Sequence, residues 1–299
     1  MLIVSLLAFM SFQLIPGDPT TKILGTNATQ ESVDALRSEL KLDRPVLVRY
    51  AEWLTGFVTG DLGRSYNYKS SVQTIVAGKL GVTAALSGLA FLLVVLISIP
   101  LGLLFAWLEG KTIDKVFTVL NQIAMSFPPF LTGIIFNFVF GLTFRLFTPG
   151  KFVSFSSNPL GFIGYLFFPA LAIALPRAAM AIKLLRRSVL TELRQDYIRT
   201  AYSRGNSRAM ALRRHALRNA VIPLITFLAA TLADIVTGSI VIEQIFLIPG
   251  IGRLLLSSIL NRDYPVVQLL VVIIAFLVIS ANCVADIAYQ YIDPRIRIR

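Results

Sequence analysis

The chain has 299 residues, of which 56% are hydrophobic and 15% are charged, and its formal net charge is +12. With a mean hydropathy of +0.74 it is too apolar for an ordinary soluble domain, which indicates an integral membrane protein. The basic charge does not predict nucleic-acid binding, because lysines and arginines concentrate beside apolar segments, as in proteins whose membrane orientation is set by positive charge.

Residues 1–16 form the first predicted transmembrane helix, since residues 1–15 are apolar throughout. A signal peptide is the alternative, but the segment has neither a basic start nor a small-residue cleavage site. The turn Pro16-Gly17-Asp18-Pro19 follows directly. Because a span needs about 20 apolar residues, we keep open that the natural helix has further residues before Met1.

An extracytoplasmic helical segment is predicted for residues 17–81, because this stretch is too long for a simple connecting loop. Asn27 or Thr29 can cap a first helix, and a second helix can begin at Pro45 and end near Gly60. One face of this second helix suits the membrane interface. It carries Tyr50, Trp53, Leu54 and Phe57. No polar cluster is evident in this part of the sequence. We therefore interpret residues 17–81 as a small structural cover packed on the ends of the transmembrane helices rather than as a site of direct substrate recognition.

Five further transmembrane helices are predicted from apolar runs long enough to cross the hydrocarbon, within a core of residues 82–290 that is followed by a tail of residues 291–299. The runs cover residues 82–107, 116–144, 160–182, 219–242 and 265–288. Pro128-Pro129 can kink the second run. The polar residues of that run are interpreted as helix–helix contacts rather than a binding site. They are Asn121, Gln122, Ser126 and Asn137.

Positive charge orients the predicted helices. If six helices alternate, one side receives Lys111, Lys115, the ten Lys and Arg residues of 183–218, and Arg295, Arg297 and Arg299. The positive-inside rule makes that side the cytoplasm and places both chain termini there. The segment 17–81 then lies outside.

The basic segment 183–218 has the pattern of a helix, a break and a second helix. Thr191 can cap a helix with Glu192 in its first turn. Gly205 can end that helix in the left-handed conformation, and Ser207 can cap the next. Small side chains near the break would let a partner approach the backbone; they belong to Thr200, Ala201 and Gly205. Spacing alone leaves open whether the segment docks another protein or lies on anionic headgroups.

Two ionisable residues, Arg177 and Asp234, lie at membrane depth, where exposure to lipid is costly. They can line a translocation pathway and contact a peptide terminus, or form a structural ion pair, or Arg177 can snorkel outward. No metal site is predicted, because the only histidine, His215, and the only cysteine, Cys283, lack neighbouring ligands. The chain has no Walker A phosphate loop, so it is not predicted to hydrolyse ATP.

Short motifs occur along nearly the whole chain. They are IPGDP at residues 15–19, GDLGRS at 60–65, YIRTA at 197–201 with Gly205, HALRNA at 215–220 with Ile222-Pro223, LIPGIGR at 247–253, NRDYP at 261–265 and DPR at 293–295. Together they resemble the binding-protein-dependent ABC importer permeases of the oligopeptide, dipeptide and nickel family, and most closely the B-type oligopeptide or dipeptide permease subunit. Each motif is weak alone, but the combination is specific.

The resemblance implies an all-α integral membrane protein with the type I ABC importer permease fold. That fold has six transmembrane helices, an extracytoplasmic helical segment between helices 1 and 2, and a cytoplasmic coupling helix between helices 4 and 5. The coupling helix sits in a groove of the ATPase subunit; here Arg199-Thr200-Ala201 replaces the family's Glu-Ala-Ala, with Gly205 in register. The residues implied for ATPase coupling are Tyr197, Arg199, Thr200, Ala201, Arg204, Gly205, Ser207 and Met210.

The implied function is import of oligopeptides or dipeptides across a bacterial cell membrane. The implied partners are an extracytoplasmic substrate-binding protein, a second homologous permease subunit and two cytoplasmic ATPase subunits. ATP and Mg²⁺ would be bound by the ATPases, so no cofactor is expected in this chain. Within the family, the alternative cargo is nickel or another metal chelate. An ion-coupled secondary transporter is an alternative from a different class of protein. A membrane-embedded enzyme is not favoured, because the sequence lacks a set of residues that could form a catalytic site.

Overall fold

The computed structural model describes residues 2–14, 20, 24 and 29–292, and it describes side chains there except at 11–14 and 288–292. In this part of the chain the regular secondary structure is helical. The helices are α1 (Leu2–Leu14), α2 (Gln30–Glu39), α3 (Val46–Thr59), α4 (Val72–Trp107), α5 (Thr112–Ser126), α6 (Pro129–Phe136), α7 (Pro159–Leu193), α8 (Asp196–Ser203), α9 (Arg208–Ala211), α10 (Leu217–Ala220), α11 (Ile222–Ile245), α12 (Ile251–Leu260) and α13 (Tyr264–Ile292). π-helical turns at Asn137–Thr143 and Leu212–Ala216 extend α6 and join α9 to α10. The predicted Asn27 cap and the motifs at 15–19 and 293–295 lie outside the described residues.

Four of the described helices are long and apolar enough to cross a membrane: α4, α7, α11 and α13. A fifth apolar stretch consists of α5 and α6 with its π-helical turn, and it is bent by 100°. The sequence predicted a kink at Pro128-Pro129, and the structure has its bend at these residues. The two helices are separate because Pro128 and Pro129 have no N–H to continue the hydrogen bonds of α5, and Phe127 takes an extended conformation before them.

Two helix ends differ from the predicted spans. α4 begins at Val72 rather than at residue 82, because Val72 and Val76 lie one turn apart and are both buried. α7 continues to Leu193 rather than ending at residue 182, because Leu185 and Val189 keep its apolar face buried beyond the first charges. Charged residues mark where a hydrocarbon-embedded segment ends, and a helix can run on past that point.

One compact unit comprises the residues up to Thr83 together with Pro249–Leu277. In it the predicted aromatic face of α3 packs on α1, with the ring centroids of Phe9 and Tyr50 5.4 Å apart and those of Phe9 and Trp53 6.2 Å apart. The Thr29 hydroxyl caps α2, and Gly60 ends α3 with φ of +87°, both as predicted. The core of this unit consists of Val72, Val76, Ile251, Leu254, Val266, Leu269 and Leu270.

The motifs at 60–65 and 261–265 meet in the same unit. The fully buried Asp263 carboxylate accepts hydrogen bonds from the Ser65 hydroxyl, from the Tyr66 N–H at 3.0 Å and from the Asn67 N–H at 3.3 Å. The Ser65 oxygen in turn accepts a bond from the Tyr68 N–H at 2.9 Å. This Asp263 cluster (Ser65, Tyr66, Asn67 and Asp263) holds the turn before α4 against the start of α13.

The other compact unit comprises Ala84–Ile248 and the residues from Val278 on. α7 lies at its centre and packs against α5, α6 and α11. Its inner face is rich in alanine, which lets neighbouring helices approach closely. The buried alanines of α7 are Ala170, Ala172, Ala174, Ala178, Ala179 and Ala181.

Side-chain amides join the helices of this second unit. The Asn121 amide donates to the Ala179 carbonyl at 2.9 Å, and the Asn137 amide donates to the Ile245 carbonyl at 3.3 Å. Both bonds run between helices, so the interpretation of these two residues as helix–helix contacts is confirmed.

Candidate functional site

The predicted coupling residues lie in two short helices separated by a tight turn. α8 ends at Ser203, Gly205 takes the left-handed conformation with φ of +84°, and α9 begins at Arg208. The Ser207 hydroxyl accepts a hydrogen bond from the Met210 N–H at 3.4 Å and caps α9. The predicted break and second cap are therefore confirmed. We call residues 196–211 the docking segment.

The first helix of this segment starts later than predicted. α8 begins at Asp196, and the cap predicted at Thr191 is wrong because Thr191 and Glu192 belong to the last turn of α7. The Glu192 carboxylate accepts a hydrogen bond from the Tyr197 hydroxyl, which accepts one from the Asn219 amide at 3.3 Å. Partial burial and the bond to Glu192 raise the pKa of the Tyr197 phenol above its ordinary value. These contacts hold α7, α8 and α10 together.

Seven of the eight predicted coupling residues are exposed: Tyr197, Arg199, Thr200, Arg204, Gly205, Ser207 and Met210. Ala201 is only 4% exposed, so its side chain is not available for the close partner approach predicted for it. Its carbonyl accepts bonds from the backbone and side-chain nitrogens of Asn206, at 3.2 Å and 3.1 Å. Ala201 therefore helps to fix the turn at Gly205 from the inner side of the segment.

A small apolar cluster supports the docking segment from beneath. Ile198, Ala211 and Ala216 are fully buried, and Leu193 and Leu212 pack against them. α8 and α9 thus each contribute one fully buried side chain to the same cluster, which sets the angle between them. The opposite side of the segment is open and carries the exposed predicted residues.

Arginines connect this region to residues 105–114, a link that sequence analysis missed. Arg186 pairs with the largely buried Asp114 at 2.8 Å, and Arg194 pairs with Glu109 at 3.0 Å. A third arginine, Arg208, contacts the end of α4. The sequence contained one indication of this link, because the carboxylates Glu109 and Asp114 occur beside Lys111 and Lys115.

The predicted pathway residues Arg177 and Asp234 form an ion pair, with Nη1 and Oδ2 3.1 Å apart. Their side chains are 32% and 54% exposed. A cavity of about 290 Å³ lies beside Arg177 and is also lined by Met125, Pro128 and Pro129. The pair therefore joins α7 to α11 next to the bend between α5 and α6.

The first compact unit contains a cleft of about 820 Å³ that brings together charged residues from positions 39–69. Arg49, Glu52, Arg64 and Lys69 line it. Burial raises the pKa of Tyr66, in the same lining, to about 12, and the positive charge of Arg49 opposes that shift. The expectation that this segment lacks a polar cluster is thus wrong, because residues distant in sequence come together in the fold.

Two family models match the chain over most of its length. The model for "Binding-protein-dependent transport system inner membrane component" matches residues 98–298, and the model for the N-terminal part of such membrane components matches residues 1–87. The chain belongs to this family. It is similar to a putative peptide transport system permease protein of Brucella abortus (strain 2308), with 38% identity over 297 residues that cover 99% of this chain and 95% of the relative.

This inner membrane component is also similar to the oligopeptide transport system permease protein AppB of Bacillus subtilis (strain 168). The identity is 34% over 296 residues, which cover 98% of this chain and 94% of the relative. A solved chain from an amino acid ABC transporter, crystallised with histidines, superposes with a TM-score of 0.59 at 15% identity, covering 73% of this chain and 94% of that chain. The predicted all-α fold of an ABC importer permease is confirmed. The count of six transmembrane helices stays a prediction.

Proposed function

We propose that this inner membrane component is the permease subunit of an ATP-driven importer that translocates oligopeptides or dipeptides delivered by an extracytoplasmic binding protein. The observation that carries the proposal is similarity along 98–99% of the chain to relatives named as peptide permeases. The permease supplies the membrane pathway, and two partner subunits bind and hydrolyse ATP with Mg²⁺.

The exposed residues Tyr197, Arg199, Tyr202, Arg204 and Met210 of the docking segment form the surface that we assign to an ATPase subunit. This surface exposes Tyr197, Tyr202 and Met210 among arginines, and aromatic residues, methionine and arginine are enriched in protein interfaces. ATP binding draws the two ATPase subunits together, and the segment passes that movement to the membrane helices. The nucleotide thereby favours an outward-open pathway, and hydrolysis restores the inward-open one.

The docking segment and both chain termini face the cytoplasm of a bacterial cell in this proposal. Its support is the positive-inside rule, applied to the ten Lys and Arg residues of 183–218. Residues 17–81 then lie on the outer side, where the binding protein arrives.

A second, homologous permease completes the pathway. One side of α11 is exposed in the isolated chain and carries small and polar residues with one valine: Ala230, Asp234, Thr237, Val241 and Gln244. A charged side chain facing lipid at membrane depth costs about 2.5–3.5 kcal/mol, so this side of α11 is suited to water or protein. We assign it to the pathway and to the second permease.

Replacing Arg177 by alanine should lower peptide uptake about tenfold, because it leaves the Asp234 carboxylate unpaired beside the pathway. The ATPase subunits should stay bound, since the pair lies away from the docking segment in sequence. Uptake of a labelled peptide into proteoliposomes, with co-purification of the ATPases, measures both. Lys183→Ala, at an exposed position farther along α7, is the matched control. Unchanged uptake in Arg177→Ala would remove the pair from the cargo route.

The proposed function is tested by purifying the chain with candidate ATPase subunits, a second permease and a binding protein, and by measuring uptake of dipeptides, longer peptides and nickel in parallel. ATP-dependent uptake of peptides supports the proposal. Uptake that continues without ATP but stops when an ionophore collapses the ion gradient would instead identify a secondary transporter. ATP-dependent uptake of nickel alone would identify the metal branch of the family.

A further inference from the structure

The C-terminal end of α4 is capped by arginines from another part of the cytoplasmic region. α4 ends at Trp107, and carbonyls in its last turn have no donor within the helix. The Arg186 Nε donates to the Phe105 carbonyl at 3.4 Å, and Arg208 Nη2 donates to the Ala106 carbonyl at 3.5 Å. Cations at this end also interact favourably with the helix dipole.

Arg208 differs from Arg186 because it belongs to the docking segment. It is the first residue of α9, held in place by the Ser207 cap that precedes it. Its guanidinium carbon lies 5.3 Å from the centroid of the Trp107 ring, within the range of a cation–π interaction. Arg208 thus contacts α4 twice, through a backbone carbonyl and through an aromatic ring.

Next to the other end of the docking segment, a salt bridge makes a second contact with the same region. Arg194, two residues before α8, pairs with Glu109, two residues beyond the end of α4. The segment is therefore attached on both sides to residues 106–109. A displacement of the segment cannot occur without either moving the end of α4 or breaking these contacts.

We propose that the Arg208–Trp107 contact, supported by Arg194–Glu109, is the connection through which movement of the docking segment reaches α4. Arg208 is a positioning residue in this scheme, and it acts on the membrane helix rather than on the ATPase surface. The inference rests on the proposed function, because it requires an ATPase that moves the docking segment.

The test separates ATP hydrolysis from transport. Arg208→Ala and Trp107→Leu should each lower peptide uptake roughly threefold to fivefold, the effect of losing a cation–π contact of about 1 kcal/mol. The amount of ATPase bound and its ATP hydrolysis should stay near the unaltered level, so the ATP consumed per peptide rises. Trp107→Phe keeps an aromatic face and should retain most of the uptake. The double variant Arg208→Ala/Trp107→Leu should be no worse than Arg208→Ala alone, because Arg208→Ala already removes the contact that Trp107→Leu removes.

Exposed Arg213, in the π-helical turn after α9, provides the control: Arg213→Ala should leave the ratio of ATP to peptide unchanged. The charge reversals Arg194→Glu and Glu109→Arg should each raise that ratio, and combining them should restore it. Loss of bound ATPase in Arg208→Ala would overturn the inference and place Arg208 in the ATPase interface. An unchanged ratio in all variants would overturn it as well. If the unaltered chain binds no ATPase and shows no ATP-driven uptake, the proposed function itself fails.

Discussion

Gly205→Trp should reduce ATP-driven peptide uptake by at least tenfold, because tenfold corresponds to the loss of about 1.4 kcal/mol of docking free energy. Gly205 is exposed, and a Cβ built on it meets nothing within 4 Å in this chain. The chain itself therefore has room for a side chain. An indole would instead occupy the space that the proposed ATPase groove needs, so the ATPase subunits should dissociate from the purified complex.

The backbone at Gly205 requires a control for strain, because its φ of +84° is unfavourable for residues with a Cβ. Gly205→Asn suits the left-handed conformation best among such residues and should keep most of the uptake. Gly205→Ala has the same strain as larger residues but little bulk, and its uptake should lie between the two. If Ala lowers uptake as strongly as Trp while the protein is properly inserted, the conformation of the turn is the cause. If both Trp and Ala leave assembly and uptake intact, this turn does not dock the ATPase.

Removing the Asp263 carboxylate should destabilise the first compact unit by about 2 kcal/mol. Asp263→Ala leaves the buried hydroxyl of Ser65 and the partly buried N–H groups of Tyr66 and Asn67 without their acceptor, and an unsatisfied buried group costs about 1–3 kcal/mol. The melting temperature followed by tryptophan fluorescence should fall by about 5–10 °C. Trp53 lies in this unit and reports on it.

Asp61 offers a matched control for the Asp263 prediction. It is an exposed carboxylate in the turn before α4, where it accepts a hydrogen bond from the Gly63 N–H at 3.1 Å. Asp61→Ala should therefore lower stability by no more than about 1 kcal/mol. A melting temperature for Asp263→Ala that equals the Asp61→Ala value would show that water replaces the buried carboxylate without penalty.

The sequence predicts the helical elements of this protein well wherever a local rule decides them. The caps at Thr29 and Ser207 and the glycine ends at Gly60 and Gly205 depend on one or two residues, and the structure has all four. The ion pair of Arg177 and Asp234 could also be predicted, because a charged side chain at membrane depth requires a partner.

Other features depend on packing between distant segments, which a single sequence does not reveal. Ala201 was expected to face a partner, yet Asn206 and the cluster under α8 turn it inward. The Asp263 cluster joins residues almost two hundred positions apart. Arg208 is one of ten basic residues in the segment 183–218, and its contact with Trp107 is visible only in the fold.

The bend at Pro128 and Pro129 determines where lipid can contact this protein. Prolines donate no hydrogen bond, so the carbonyls of Ala124 and Met125 lack the donors that an unbroken helix would provide. Acyl chains cannot supply such donors either. We therefore expect water or polar protein groups, rather than acyl chains, at this bend, and Met125, Pro128 and Pro129 also line the cavity beside Arg177.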